Sequence, residues 1–188
     1  VPSLHGIASN DWIDKQSGKS VYCTEDAGVI NVGGTVKAGK MSPKNLLSTT
    51  ITDEMRLASN FASKTIAISL KDRGAILPGG HTSNGSYWMD DSNGVFMTST
   101  FYMNQLPKWV SDFNGLNRAK QYMSQDWNTL YPIETYTQSI NDENSYEGKF
   151  TGETKTSFPH KTSTLRNVDI KKTPFGNQII FDFAKAAL

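Results

Sequence analysis

A single cysteine, Cys23, occurs among the 188 residues, so no intrachain disulfide can form and no cysteine cluster can hold zinc. A solitary thiol of this kind is read as a small, buried and inert group. Histidine is scarce too: His5, His81 and His160 lie far apart and in no His-x-x-x-His or Asp-x-x-x-His spacing, which argues against a zinc site inside the chain. No stretch approaches the roughly 20 apolar residues that a membrane-spanning helix needs. Excess charge is missing as well, since 19 basic side chains against 18 acidic ones leave a net charge of +1. Without a broad positive field, neither nucleic acid nor an anionic membrane is an expected partner. Any anion must be gripped by a few locally placed residues.

The residues present suit one soluble globular unit, with 37% hydrophobic and 20% charged positions. Three regions are expected: a core part over 1–133, a polar and loop-rich insert over 134–172, and a helix over 173–188. In that last region Ile179, Ile180, Phe183, Ala184, Ala187 and Leu188 fall on one helical face, with Gly176 or Asn177 as the expected N-cap. The pattern stops without a Gly, Asn or Pro terminator, and the chain opens on Val1. Both ends therefore read as cuts in a longer protein.

Further upstream, Ser42-Pro43 is a plausible helix start. Thr50 followed by Asp53 fits a capping box, and Ile51, Met55, Ala58 and Ala62 repeat at helical spacing. The run Thr65–Leu70 is short, apolar and β-branched, which predicts a strand inside a sheet, and a helix followed by such a strand is half of a parallel α/β unit. Tyr87-Trp88-Met89 and Val95-Phe96-Met97 flank an Asn-Gly turn and predict a hairpin, with Asp90-Asp91 serving its turn. Leu106–Phe113 reads as a short helix with proline near its start and Gly115 at its end. The sequence thus points to an α/β fold.

The chemistry concentrates at Lys71-Asp72-Arg73, directly after the predicted strand. On an extended backbone, residues two apart point to the same side, and ligands of open α/β sheets bind beyond the carboxyl ends of strands. A lysine charge beside an arginine fork makes a clamp for phosphoryl oxygens. The same spacing also describes a solvated turn with a local ion pair. Asn10, in a glycine-containing turn near His5 and Trp12, could donate to an anion without adding charge, or could merely stabilise its own turn. Trp88, Trp109 and Trp127 are expected to pack in the core or at its rim. Exposed together on one face, they would instead mark a non-catalytic binding or cap module.

Several blocks, in order, resemble the alkaline phosphatase superfamily. They are Val1–Asn10, Ser42–Leu47, Ile68–Pro78, Tyr87-Trp88 with Thr98–Tyr102, and Thr173–Asn177. The nearest branch is that of the Bacteroidetes-type phosphate-irrepressible alkaline phosphatases, related to nucleotide pyrophosphatase/phosphodiesterases. The resemblance implies a fragment of a sheet sandwich with an irregular cap, from a periplasmic or secreted two-zinc hydrolase acting on small phosphate esters. It matches Asn10, Lys71 and Arg73 to the residues that bind phosphate. It places the nucleophilic threonine upstream of Val1 and the metal ligands outside the chain. The pair Lys71 and Arg73 favours a phosphomonoesterase over a phosphodiesterase, because a diester presents one fewer charged oxygen.

Overall fold

The computed structural model describes residues 1–188, the side chain of Lys37 apart. Its centre is a four-stranded sheet of β3 (Asn31–Val32), β6 (Phe96–Ser99), β5 (Gly85–Met89) and β4 (Ile66–Ser69), in that order. Strand β4 runs parallel to β5 and is joined to it by helix α3 (Asp72–Gly79), a βαβ unit whose crossover helix covers one face. The expected hairpin is β5–β6, antiparallel with Trp88 opposite Met97 and Met89 opposite Phe96. Its turn is closed by Asp90 N–H to the Val95 carbonyl (2.9 Å) and Gly94 N–H to the Asp90 carbonyl (2.8 Å), with Gly94 at φ 74°. That positive φ favours glycine, as the turn signal implies.

Alternation along β5 and β6 divides the interior in two. Trp88 and Met97 meet Ile76 of α3 on one face. Tyr87, Met89 and Phe96 point the other way, into a larger cluster with helices α4 (Lys108–Gly115), α5 (Arg118–Met123) and α6 (Pro174–Ala186). Phe183 of α6 lies at the centre of that cluster. Its ring stacks on Phe96 at 3.9 Å between centroids and meets Tyr87, Trp109 and Phe113 at 5.0–5.6 Å. Phe183→Ala is expected to cost about 3–5 kcal/mol, read as a lowered urea midpoint with an unchanged slope.

Four local expectations are corrected. Helix α6 starts at Pro174 with Thr173 as N-cap, not at Gly176 or Asn177, because proline is pre-set for the first helical position. Gly176 instead lets α6 approach the preceding turn, where a Cβ would lie 2.7 Å from the Ile170 carbonyl oxygen. Ser42-Pro43 begins no helix and forms only a turn. Strand β4 stands at the sheet edge among the described residues, not inside it. Finally, helix α2 (Ile51–Ala58) forms with its capping box, yet Ile51 and Met55 face solvent and its buried residue is Asp53. Polar anchoring holds this helix: Thr52 Oγ1 donates to the carbonyls of Pro78 (2.7 Å) and Gly79 (3.0 Å).

The stretch 134–172 carries little regular structure beyond short 3-10 turns. Its last turn, Asn167–Lys172, nevertheless sends Ile170 into the main cluster, fully buried. Elsewhere in the stretch, His160 is buried against Trp127, Phe150 and Phe158 and paired with Glu153 at 3.0 Å.

Candidate active site

The carboxyl end of β4 leads directly into the N-terminus of α3. Lys71 is the N-cap residue, with extended backbone (φ −124°, ψ 143°), and Asp72 and Arg73 are the first two helical residues. The alternation expected for Lys71 and Arg73 therefore does not apply, since the chain has already turned into a helix at Asp72. Both still line one cavity, of about 420 Å³, together with Tyr22, Asp72, Trp88 and Lys171. They reach it from the first turn of a helix, where the helix dipole favours negative charge.

Local packing fixes this turn. Ser69 Oγ accepts the Lys71 backbone N–H at 3.2 Å. Gly74 permits that arrangement, because a Cβ there would stand 2.4 Å from Ser69 Oγ. Asp72 Oδ1 accepts the Arg73 backbone N–H (2.6 Å) and the Tyr22 hydroxyl (2.7 Å). Arg73 Nη1 in turn donates to Tyr22 Oη at 3.0 Å. That contact pushes the guanidinium pKa further up, so Arg73 stays cationic.

Among the described residues, neither Lys71 nor Arg73 forms an ion pair. The neighbouring acids are engaged elsewhere. Asp72 serves Tyr22 and its own helix, and Asp91 pairs with Lys171. Asp90, buried in the hairpin turn, accepts the N–H groups of Thr35 (2.6 Å) and Ser92 (2.9 Å). Burial works to raise the Asp90 pKa, and those hydrogen bonds outweigh it and hold the pKa below the usual carboxylate range. Two cations thus face the cavity without a carboxylate partner, which is unlike a turn neutralised by its own acid.

Asn10 does not line this cavity. It is exposed beside β1 (Asp11–Ile13), and its carbonyl accepts the Cys23 N–H at 2.9 Å. Strand β1 pairs with β2 (Ser20–Tyr22), Asp11 opposite Tyr22. Asn10 is thus tied to the cavity through the ribbon that carries Tyr22. Tyr22 and Lys171 are the site residues that sequence reasoning missed. Tyr22 lies about 50 positions from its partners and in no motif, so nothing in its own neighbourhood signals the role. Cys23 is buried as expected, and burial pushes its thiol pKa up.

No protein-family model matches the chain. It is 54% identical over 191 residues to alkaline phosphatase PhoV of Synechococcus elongatus, and 49% identical over 194 residues to alkaline phosphatase PafA of Elizabethkingia meningoseptica. Each alignment takes in 100% of this chain and 35% of the relative. The crystal structure of wild-type PafA superposes with a TM-score of 0.94 at 49% identity, over 100% of this chain and 37% of that one. The chain belongs to the alkaline phosphatase superfamily. A protein of Myroides odoratus named as a calcium-transporting ATPase is 50% identical over 192 residues, again 35% of its length. A PafA variant, solved with a threonine replaced by serine and with an asparagine, a lysine and an arginine replaced by alanine, superposes at 0.96 and 46% identity. The chain spans about a third of the length of the curated relatives it matches.

The superfamily implies metal ions in the full-length enzyme. Among the described residues, no three His, Cys, Asp or Glu side chains gather where a metal could sit. His81 is bound to Asp53 and to the Leu46 carbonyl instead. Among the described residues, no helix is long and apolar enough to cross a membrane.

Proposed function

We propose that this segment grips the phosphoryl group of a small phosphomonoester in a larger, exported, two-zinc hydrolase. Lys71 and Arg73 are the donors that line the cavity, and Asn10, outside it, joins them from the β1–β2 ribbon side. The observation that carries the reading is the pair of cations, free of carboxylate partners, opening on one cavity at the first turn of a helix. The substitutions in the solved PafA variant point the same way, since they remove an asparagine and a lysine and arginine two positions apart.

Phosphoryl transfer passes charge onto the equatorial oxygens, so catalysis rests on positioning and charge neutralisation. Lys71 supplies a mobile point charge, and Arg73 supplies a planar fork held from behind by Tyr22. Asn10 adds a neutral donor. The nucleophilic threonine would lie in the part of the enzyme before Val1, and zinc ions, held by residues outside this segment, would supply Lewis-acid chemistry.

Two cations suit a dianionic monoester better than a monoanionic diester. The full-length enzyme is expected to hydrolyse an aryl phosphomonoester with kcat/KM well above that for the matched methyl diester. Equal or greater diester activity would shift the assignment to a phosphodiesterase or nucleotide pyrophosphatase. A binding or cap module built on exposed tryptophans is disfavoured, because Trp88 is buried and Trp109 packs against the main core.

A further inference from the structure

We infer that Tyr22 is a positioning residue for Arg73, and that its hydroxyl sets the distance between the two sides of the phosphate grip. The inference rests on the phosphate-gripping reading of Lys71 and Arg73. Three contacts carry it. The Tyr22 hydroxyl accepts from Arg73 Nη1 at 3.0 Å and donates to Asp72 Oδ1 at 2.7 Å. Both partners belong to the first turn of α3, whereas Tyr22 ends β2. The residue after it, Cys23, donates its N–H to the Asn10 carbonyl at 2.9 Å.

Arginine has several rotatable bonds, and an unanchored guanidinium would lose considerable entropy on seizing a phosphoryl group. One of its N–H groups is already spent on Tyr22, which fixes the fork and leaves the others to face the cavity. Asp72 accepts the hydrogen bond of the same hydroxyl and forms no ion pair with the guanidinium among the described residues, so the guanidinium keeps donors for substrate. Because Tyr22 is joined to Asn10 through the β1–β2 ribbon, one hydroxyl registers the ribbon side of the site against the helix side. Burial, reinforced by Asp72, pushes the Tyr22 pKa up to about 12, so the donor stays protonated at alkaline pH.

The test uses the full-length enzyme with Tyr22→Phe, which keeps the ring and removes only the hydroxyl. For an aryl phosphomonoester kcat/KM is expected to fall roughly tenfold, the weight of one hydrogen bond to a charged group. Inhibition by inorganic phosphate weakens in parallel, while the diester rate, which leans less on the clamp, falls less. In an Arg73→Ala background the same change is expected to cost no more than about twofold, since the residue being positioned is gone. Full monoester activity in Tyr22→Phe, an equal loss in both backgrounds, or equal losses for monoester and diester would overturn the positioning role. Arg73→Ala with unimpaired monoester hydrolysis would remove the phosphate-gripping reading itself, and the positioning role with it. A Tyr22→Phe protein that melts at the wild-type temperature excludes a general loss of fold as the cause.

Discussion

The full-length enzyme carrying Lys71→Ala and Arg73→Ala together will lose most of its activity toward monoesters while remaining folded. Each cation removed from a site where charge develops costs about 2–4 kcal/mol of transition-state stabilisation, roughly 30- to 1000-fold in kcat/KM. The two act on one group, so the double variant should fall short of the product of the single effects. Stability should barely move. Lys71 is exposed and neither side chain holds an ion pair among the described residues. Steady-state kinetics on monoester and diester, beside a thermal melt, check the point. Unchanged monoester kcat/KM in the double variant would remove the assignment.

The second large effect is on folding, at Asp53. This carboxylate is wholly buried at the start of α2. One oxygen takes the N–H of Thr50 (3.0 Å) and closes the capping box. The other takes the N–H groups of His81 (2.9 Å) and Thr82 (2.8 Å) and the Thr82 hydroxyl (2.8 Å). Asp53→Ala strips a charged acceptor from several buried donors at once, and a loss of about 3–5 kcal/mol is expected. Burial on its own would raise the Asp53 pKa. Hydrogen bonds from Thr82, Thr50 and His81 overcome this and lower it to about 2, from an ordinary 3.8. A carboxylate whose pKa is depressed by folding stabilises the native state above its unfolded pKa. Its contribution, about 2 kcal/mol, is complete above roughly pH 5 and fades as pH falls through 4 toward 2. Urea unfolding across that window should show the fading in the wild-type protein and a flatter profile in Asp53→Asn.

Local signals served the sequence reading wherever one short segment decides its own structure. The Thr50–Asp53 box, the Asn-Gly hairpin and the Pro107-to-Gly115 helix are of this kind, because caps and turns are written within a few residues. The α/β class followed from the order of helix and strand, and the position of Lys71 and Arg73 after a strand was enough to find the cavity. Strand alternation does not bring them to one side; a helix turn does, which the Lys-Asp-Arg spacing does not announce. What stayed hidden depends on distant partners. Tyr22 meets Arg73 across 51 positions, and Lys171 meets Asp91 across the fold. Helix α2 misled for a related reason. Its apolar spacing predicts a buried stripe, whereas the side it buries is polar, and only the loop at Gly80–Thr82 reveals why.

That loop has a consequence for catalysis. Helix α3 spans eight residues, about 12 Å, and is tethered at opposite ends: Tyr22 grips its leading turn, and Asp53 grips the residues that follow it. A short rod held at both ends resists tilting. Loosening the rear tether, for example with Thr82→Val, would let the front swing and blur the aim of Arg73. The damage would surface as slower turnover at a distance from any substrate, before it surfaced as a lower melting temperature.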